Sequence, residues 1–189
     1  MDNLKRSIAI ASGVFIIILC LLSWYWSREP EQLTMQVVEK PIVGVATTSM
    51  LLETVNTLLD KSGGYLSNDI MPPSVFLDNM PNWEFGVLQQ VRDLAKTLRN
   101  DYSRSQTQSV ADADLERAEP KFNVHNDEWM FPSAEGEYSD GAKSLKKYLL
   151  RLQDTSQQNA QFYARADNLN EWLSSVSYTH LTLPTKRIV

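Results

Sequence analysis

The chain has 189 residues, 43% apolar and 22% charged, the balance of a folded protein with room for one ordinary domain and an accessory segment. A single cysteine, Cys20, excludes an intramolecular disulfide and a cysteine-based zinc cluster, and two histidines, His125 and His180, argue against a histidine-rich metal site, so no cofactor is expected. The formal charge of −5 understates the acidity of the main body: residues 27–174 carry 14 Lys and Arg against 22 Asp and Glu, a balance of −8. Such a body lacks the basic footprint that binding a phosphate backbone needs, and no nucleic-acid partner is expected.

The amino end, "MDNLKRSIAIASGVFIIILCLLSWYWSREP", places Lys5 and Arg6 before an uncharged, mostly apolar run over residues 7–26. As a helix these residues rise about 30 Å, which matches the hydrocarbon thickness of a bilayer. Trp24, Tyr25 and Trp26 cluster at one end, where amphipathic rings favour the membrane interface. The competing interpretation, a cleaved signal peptide, fits poorly because the run is too long and bulky rings stand where a peptidase needs small residues. Cys20 follows Ile18 and Leu19 rather than small residues, so it is expected to be a membrane-buried thiol and not a lipidation site. The two basic residues ahead of the span, against Glu29 and Glu31 beyond it, put residues 1–6 in the cytoplasm. In a bacterium the body then lies in the periplasm, on a single-pass inner-membrane anchor whose partner is the lipid bilayer.

Residues 27–46 form a polar connector in which Pro30 and Pro41 stop the membrane helix. "TTSMLLETVNTLLDKSGG" predicts a first soluble helix capped by Thr48 or Ser49, with Glu53 early and Leu51, Val55, Leu58 and Leu59 on one side. Gly63 and Gly64 supply its stop. A second helix is predicted from near Asn82, with Asn79 or Asn82 as its cap. Glu84, Leu88, Val91, Ala95, Leu98 and Tyr102 share its apolar stripe. A short helix over about 111–118 ends before Pro120, and "KFNVHNDEWMFPS" reads as irregular. Ser133 caps the next helix, with Tyr138, Ala142, Leu145, Leu149 and Leu152 on one face. "QDTSQQN" is a loop, and a last helix starts near Ala160 with Phe162, Ala166, Leu169, Leu173 and Val176 aligned. No strand pair or internal repeat is visible. The expected architecture is all-α: a transmembrane helix followed by an irregular helical bundle over residues 47–174.

The closing "VSYTHLTLPTKRIV" departs from this pattern. Residues 176–185 back-translate into a stretch resembling the transposon-end adapter used in sequencing libraries. Residues 175–189 are therefore expected to be adapter-derived, and the chain to be an amino-terminal fragment cut within its last helix.

The segment "GGYLSNDIMPPSVFLDNMPNWEFG", residues 63–86, joins two helices over about 18 residues, longer than the usual few. Its prolines restrict the backbone and its rings give it mass to pack with. It is expected to be either an ordered lid over the helical core or a preorganised recognition loop. In the second case Tyr65, Asp69, Phe76, Asp78, Trp83 and Glu84 would face a protein partner or a glycan. A cell-wall hydrolase using Asp69, Asp78 and Glu84 as acid and base is the catalytic alternative, although no spacing fixes two of them at a working separation. His125 has no nucleophile placed near it, and the sequence holds no glycine-rich phosphate loop, HExxH helix or GxSxG elbow. "SRSQTQS" with Arg92, Arg99 and Arg104 could hold an anion, but a solvated helix end explains it more simply.

The span ending in "WYW", the run "TTSMLLETVNTLLDKSGGYLSNDIMPPSVFLDNMPNWEFGVLQQVRDLAKTLRNDYSRSQTQS", then "DADLERAEPKF" and "AQFYARADNLNEWL" resemble one bacterial, chiefly gammaproteobacterial, single-pass inner-membrane family catalogued as a domain of unknown function. The resemblance covers residues 1 to about 174, and family members run well past that point. It implies a location and a helical fold, and it transfers no activity and no catalytic residues. The expected function is a non-enzymatic, membrane-anchored envelope protein, an interaction or scaffold domain that binds another envelope protein or helps organise the cell surface.

Overall fold

The computed structural model describes residues 2–33, 42–105, 110–154, 156 and 159–182, and among them every regular element is helical. Helix α1, Asp2–Trp26, is the apolar segment; over Asn3–Trp26 it is predominantly apolar and none of that stretch is buried. By length and composition it can cross a membrane. The body contains α2 (Val45–Asp60), α3 (Asn79–Thr97), α4 (Ala113–Phe122), α5 (Ala134–Gln153) and α6 (Ala166–Thr182). Helix α2 packs on α3, α3 on α4, α4 on α5, and α5 back on α2, so the four close a ring, with α6 lying outside against α3.

The predicted stripes point into this ring. Leu51, Val55 and Leu58 of α2 are buried, with Leu59 packed at the margin. So are Leu88, Val91 and Ala95 of α3, and Tyr138, Ala142, Leu145, Leu149 and Leu152 of α5. The stripe of α3 continues through a π-helical turn, Leu98–Tyr102, closed by the Ser103 N–H donating to the Leu98 carbonyl at 2.9 Å. That extra residue per turn keeps both Leu98 and Tyr102 inside.

Several boundaries differ from the sequence-based expectations. Helix α2 begins at Val45, not at Thr48 or Ser49. Gly44, at φ 85°, starts it, and the Thr48 hydroxyl donates back to the Gly44 carbonyl at 2.8 Å from within the first turn. A Cβ at Gly44 would stand 2.2 Å from the Phe162 ring, so only glycine admits that ring. The earlier start leaves Glu53 beyond the first turn. Helix α3 begins at Asn79 with Asp78 in the cap position, so neither Asn79 nor Asn82 caps it; Pro81 falls in the first turn, where its missing N–H costs nothing. Helix α4 runs through Pro120 to Phe122 instead of stopping before it. The buried Phe122 and the 2.6 Å Lys121–Glu137 ion pair hold that last turn. At its start the Asp114 N–H donates to the Asp112 carboxylate at 2.9 Å.

Ser133 caps α5 as expected, accepting from the Gly136 N–H. Helix α6 starts at Ala166, not near Ala160. Phe162 stacks on Tyr102 with centroids 4.6 Å apart, and the Tyr163 N–H donates to the Tyr102 carbonyl at 2.7 Å, so this segment is held extended. Without Phe162 in register the expected stripe does not form, and Leu169 and Leu173 are exposed.

Arginines tie the ring together. Arg92 donates to the carbonyls of Phe122 and Val124 at 2.7 and 2.8 Å, Arg99 pairs with Glu119 at 2.7 Å, and Arg151 bridges Asp112 and Asp114 at 2.6 Å each. Arg92 and Arg99 are thus engaged on α4 and its exit, which removes both from the anion-holding role considered for "SRSQTQS". Residues 106–109 of that stretch lie outside the described residues.

Candidate functional site

The 63–86 segment divides into an inner and an outer part. The inner part is built around Glu84, which lies on the buried stripe of α3 and is 0% exposed. A carboxylate there has lost its hydration and must be matched by donors and a cation. The Leu66 N–H donates to Oε1 at 2.8 Å, the Ser67 N–H to Oε2 at 2.7 Å, and the Ser67 hydroxyl also donates to Oε2. The cation is Lys61, whose Nζ lies 2.5 Å from Oε1 and whose side chain is likewise fully buried. Lys61 also donates to the Gly64 carbonyl, within the tight Gly63–Gly64 turn. One ion pair thus fastens the end of α2, the turn and the loop onto α3.

Tyr65 is 1% exposed and meets the Tyr138 ring edge-on, with centroids 5.5 Å apart. Burial pushes its phenol well above the ordinary range, and the neighbouring Tyr138 adds to this. Tyr138 in turn donates to the Val124 carbonyl at 2.9 Å. Tyr65 and Glu84, expected as recognition residues, are interior struts and cannot face a partner. Glu84 is equally lost to the hydrolase alternative, because its oxygens are occupied by four donors and no substrate can reach them.

The outer part points the other way. Asp69, Ile70, Met71, Val75, Phe76, Asp78 and Trp83 are exposed, Phe76 to 76% and Met71 to 71%. The segment is still ordered there: Ser74 is buried and its hydroxyl donates to the Met71 carbonyl at 2.6 Å, while the Phe76 and Leu77 N–H groups close the Ser74–Phe76 3₁₀ turn.

A second loop, between α4 and α5, stands beside it. The Asn68 amide donates to the Glu128 carbonyl at 3.2 Å, and the Ala134 N–H donates to the same carbonyl at 2.9 Å. This loop presents Trp129, Met130 and Phe131, all exposed, Phe131 completely so at 102%. Between the two loops lies a cleft of about 520 Å³ lined by Asn68 to Pro72 on one side and Trp129 to Phe131 with Ser133 and Glu135 on the other. Trp26, the last residue of α1, forms a further wall. It sits on Gly63, where a Cβ would stand 2.8 Å from its ring, so the end of the apolar helix is packed onto the body.

Of the six predicted residues only Asp69 lines this cleft. Its carboxyl is raised above the usual range by desolvation, against a hydrogen bond from Ser74 that lowers it, with Glu84 adding to the rise. Lys61, Trp26, Ile70, Met71, Trp129, Met130, Phe131 and Glu135 were not anticipated as site residues. The signal for three of them was the "WMF" run, three large apolar residues inside a polar, irregular stretch. His125 is exposed and lies 3.4 Å from the Asp127 carboxylate, with no nucleophile among its contacts. Among the described residues no group of three His, Cys, Asp or Glu side chains is placed to hold a metal.

No curated protein and no solved structure shows significant similarity to the chain. A bacterial protein family, described as "uncharacterized protein conserved in bacteria" (DUF2333), matches residues 2–186, a range that runs past Ser174, where the resemblance was expected to end. With nearly its whole length matched, the chain belongs to that family of bacterial proteins, defined as a domain of unknown function.

Proposed function

We propose that the chain is a membrane-anchored envelope protein without catalytic activity. Its amino terminus lies in the cytoplasm and its helical body in the periplasm, where it binds another envelope protein. The observation that carries this reading is α1. A helix of such hydropathy that served as a core element of a soluble fold would be buried, and this one has none of its apolar window buried. Lys5 and Arg6 on one side, against Glu29 and Glu31 on the other, support the orientation. The engagement of Glu84 with Lys61 supports a structural rather than catalytic use of that carboxylate. Phe76, Asp78 and Trp83 remain available on the outer surface for a protein partner.

The test is expression of the full chain with either alkaline phosphatase or green fluorescent protein fused after its last residue. Active phosphatase, a dark fluorescent fusion and an uncleaved chain that resists carbonate extraction are the expected results. A fluorescent fusion would place the body in the cytoplasm. A shortened chain in the soluble fraction would make α1 a cleaved signal.

A further inference from the structure

We propose that the rim of the cleft is a second membrane contact: Ile70, Met71, Trp129, Met130 and Phe131 dip into the interface of the bilayer that α1 crosses. This rests on the anchor reading above. Trp26 ends the apolar helix and is also a wall of the cleft, so the cleft lies at the level where the chain leaves the hydrocarbon. The contact of Trp26 with Gly63 fixes that level relative to the body, because the ring fills the space a side chain at residue 63 would need.

The rim residues suit this depth. Each of the five is exposed, and together they place bulky aliphatic, thioether and aromatic groups on one edge of an acidic body. Amphipathic rings such as Trp129 gain from the headgroup boundary, as do Trp24 and Tyr25 at the end of α1. The two loops are tied together by the Asn68–Glu128 hydrogen bond, so they meet the surface as one unit with little ordering cost. The body's excess of acidic residues gives anionic headgroups nothing to attract, so the contact is apolar in origin and added salt does not release it. Membrane lipid is therefore the occupant of this edge.

The experiment uses the full chain with Cys20→Ser, reconstituted in nanodiscs of phosphatidylethanolamine and phosphatidylglycerol. Single cysteines replace Ile16, Met71, Phe131 or Lys147 in turn and carry an environment-sensitive fluorophore. Lys147 is an exposed control, 13 residues and about 20 Å along α5 from its cleft end. Labels at 71 and 131 are expected to shift to the blue and to lose most of their emission when the lipids are brominated near the headgroup, and the label at 16, about 15 Å deeper than Trp26, when they are brominated at the acyl-chain ends. The quenching is expected to persist in high salt, with the label at 147 unchanged. Quenching at 16 without quenching at 71 and 131 overturns the second contact and leaves the anchor standing. No quenching at 16 overturns the anchor, and the proposal with it. A blue shift at 71 and 131 that brominated lipid does not touch would mean a protein covers the rim, and it too refutes the proposal. Met71 and Phe131 are both solvent-facing, so a label at either changes no packing on which folding depends.

Discussion

The inner and outer parts of the 63–86 segment use similar residue types under opposite rules. Inside, a carboxylate, a tyrosine and a lysine are dehydrated: Glu84 is held by Lys61 and the Leu66 and Ser67 amides, and the Tyr65 ring packs on the edge of Tyr138 while its hydroxyl has no hydrogen-bond partner among the described residues. Outside, Met71, Phe76 and the neighbouring Phe131 are left in the open with no packing role in the body. Burying a charge is tolerated only when its partners are complete, whereas exposed apolar groups cost the fold little and mark a surface for something else. The inner part is therefore read as architecture and the outer part as function.

The comparison can be broken most severely at the ion pair. Lys61→Met leaves the Glu84 carboxylate buried without its cation, and a loss of about 3–5 kcal/mol is expected from the shift of the urea midpoint. A loss inside the range of surface substitutions would mean that the pair is hydrated and the segment loosely held. A smaller effect is expected at the joint between α1 and the body. Gly63→Ala forces a side chain at φ 89° and drives a Cβ into the Trp26 ring, so about 1–2 kcal/mol should be lost for the backbone alone. Quenching of tryptophan emission by a soluble quencher should rise as Trp26 is displaced.

The smallest effect is expected at Asp69. Because desolvation raises its folded-state pKa above the ordinary 3.8, the folded protein holds that proton more tightly than the unfolded chain does. The resulting stability is fully present below the ordinary value and is lost as pH rises through the raised one. Asp69→Asn should therefore melt slightly higher than the parent at neutral pH, with the difference vanishing below pH 3.8. A difference that grew as pH fell would reverse the sign.

The sequence made the ring of helices legible because its stripes are long and periodic, as on α3 and α5. Ends were harder, since what fixes them is distant in sequence: Phe162 seats itself on Gly44 and Tyr102, which starts α2 early and delays α6. Glu84 carried a conflict that could have been resolved from sequence. It fell both on the apolar stripe of α3 and in the predicted recognition loop, and a charge on a buried stripe calls for an internal cation. The stripe prevailed. The cleft was not legible, because its two loops are far apart in the chain and are brought together by the Asn68–Glu128 hydrogen bond, with Trp26 as a further wall.

The division of the segment is tested most directly by melting two variants of the full chain side by side, Glu84→Ala and the double substitution Met71→Ser with Phe131→Ser. Removing the buried carboxylate should lower the melting temperature by on the order of 10 °C, while the rim variant should melt with the parent. If the rim variant lost as much as Glu84→Ala, or if Glu84→Ala lost nothing, the assignment of the inner part to architecture and the outer part to function would be wrong.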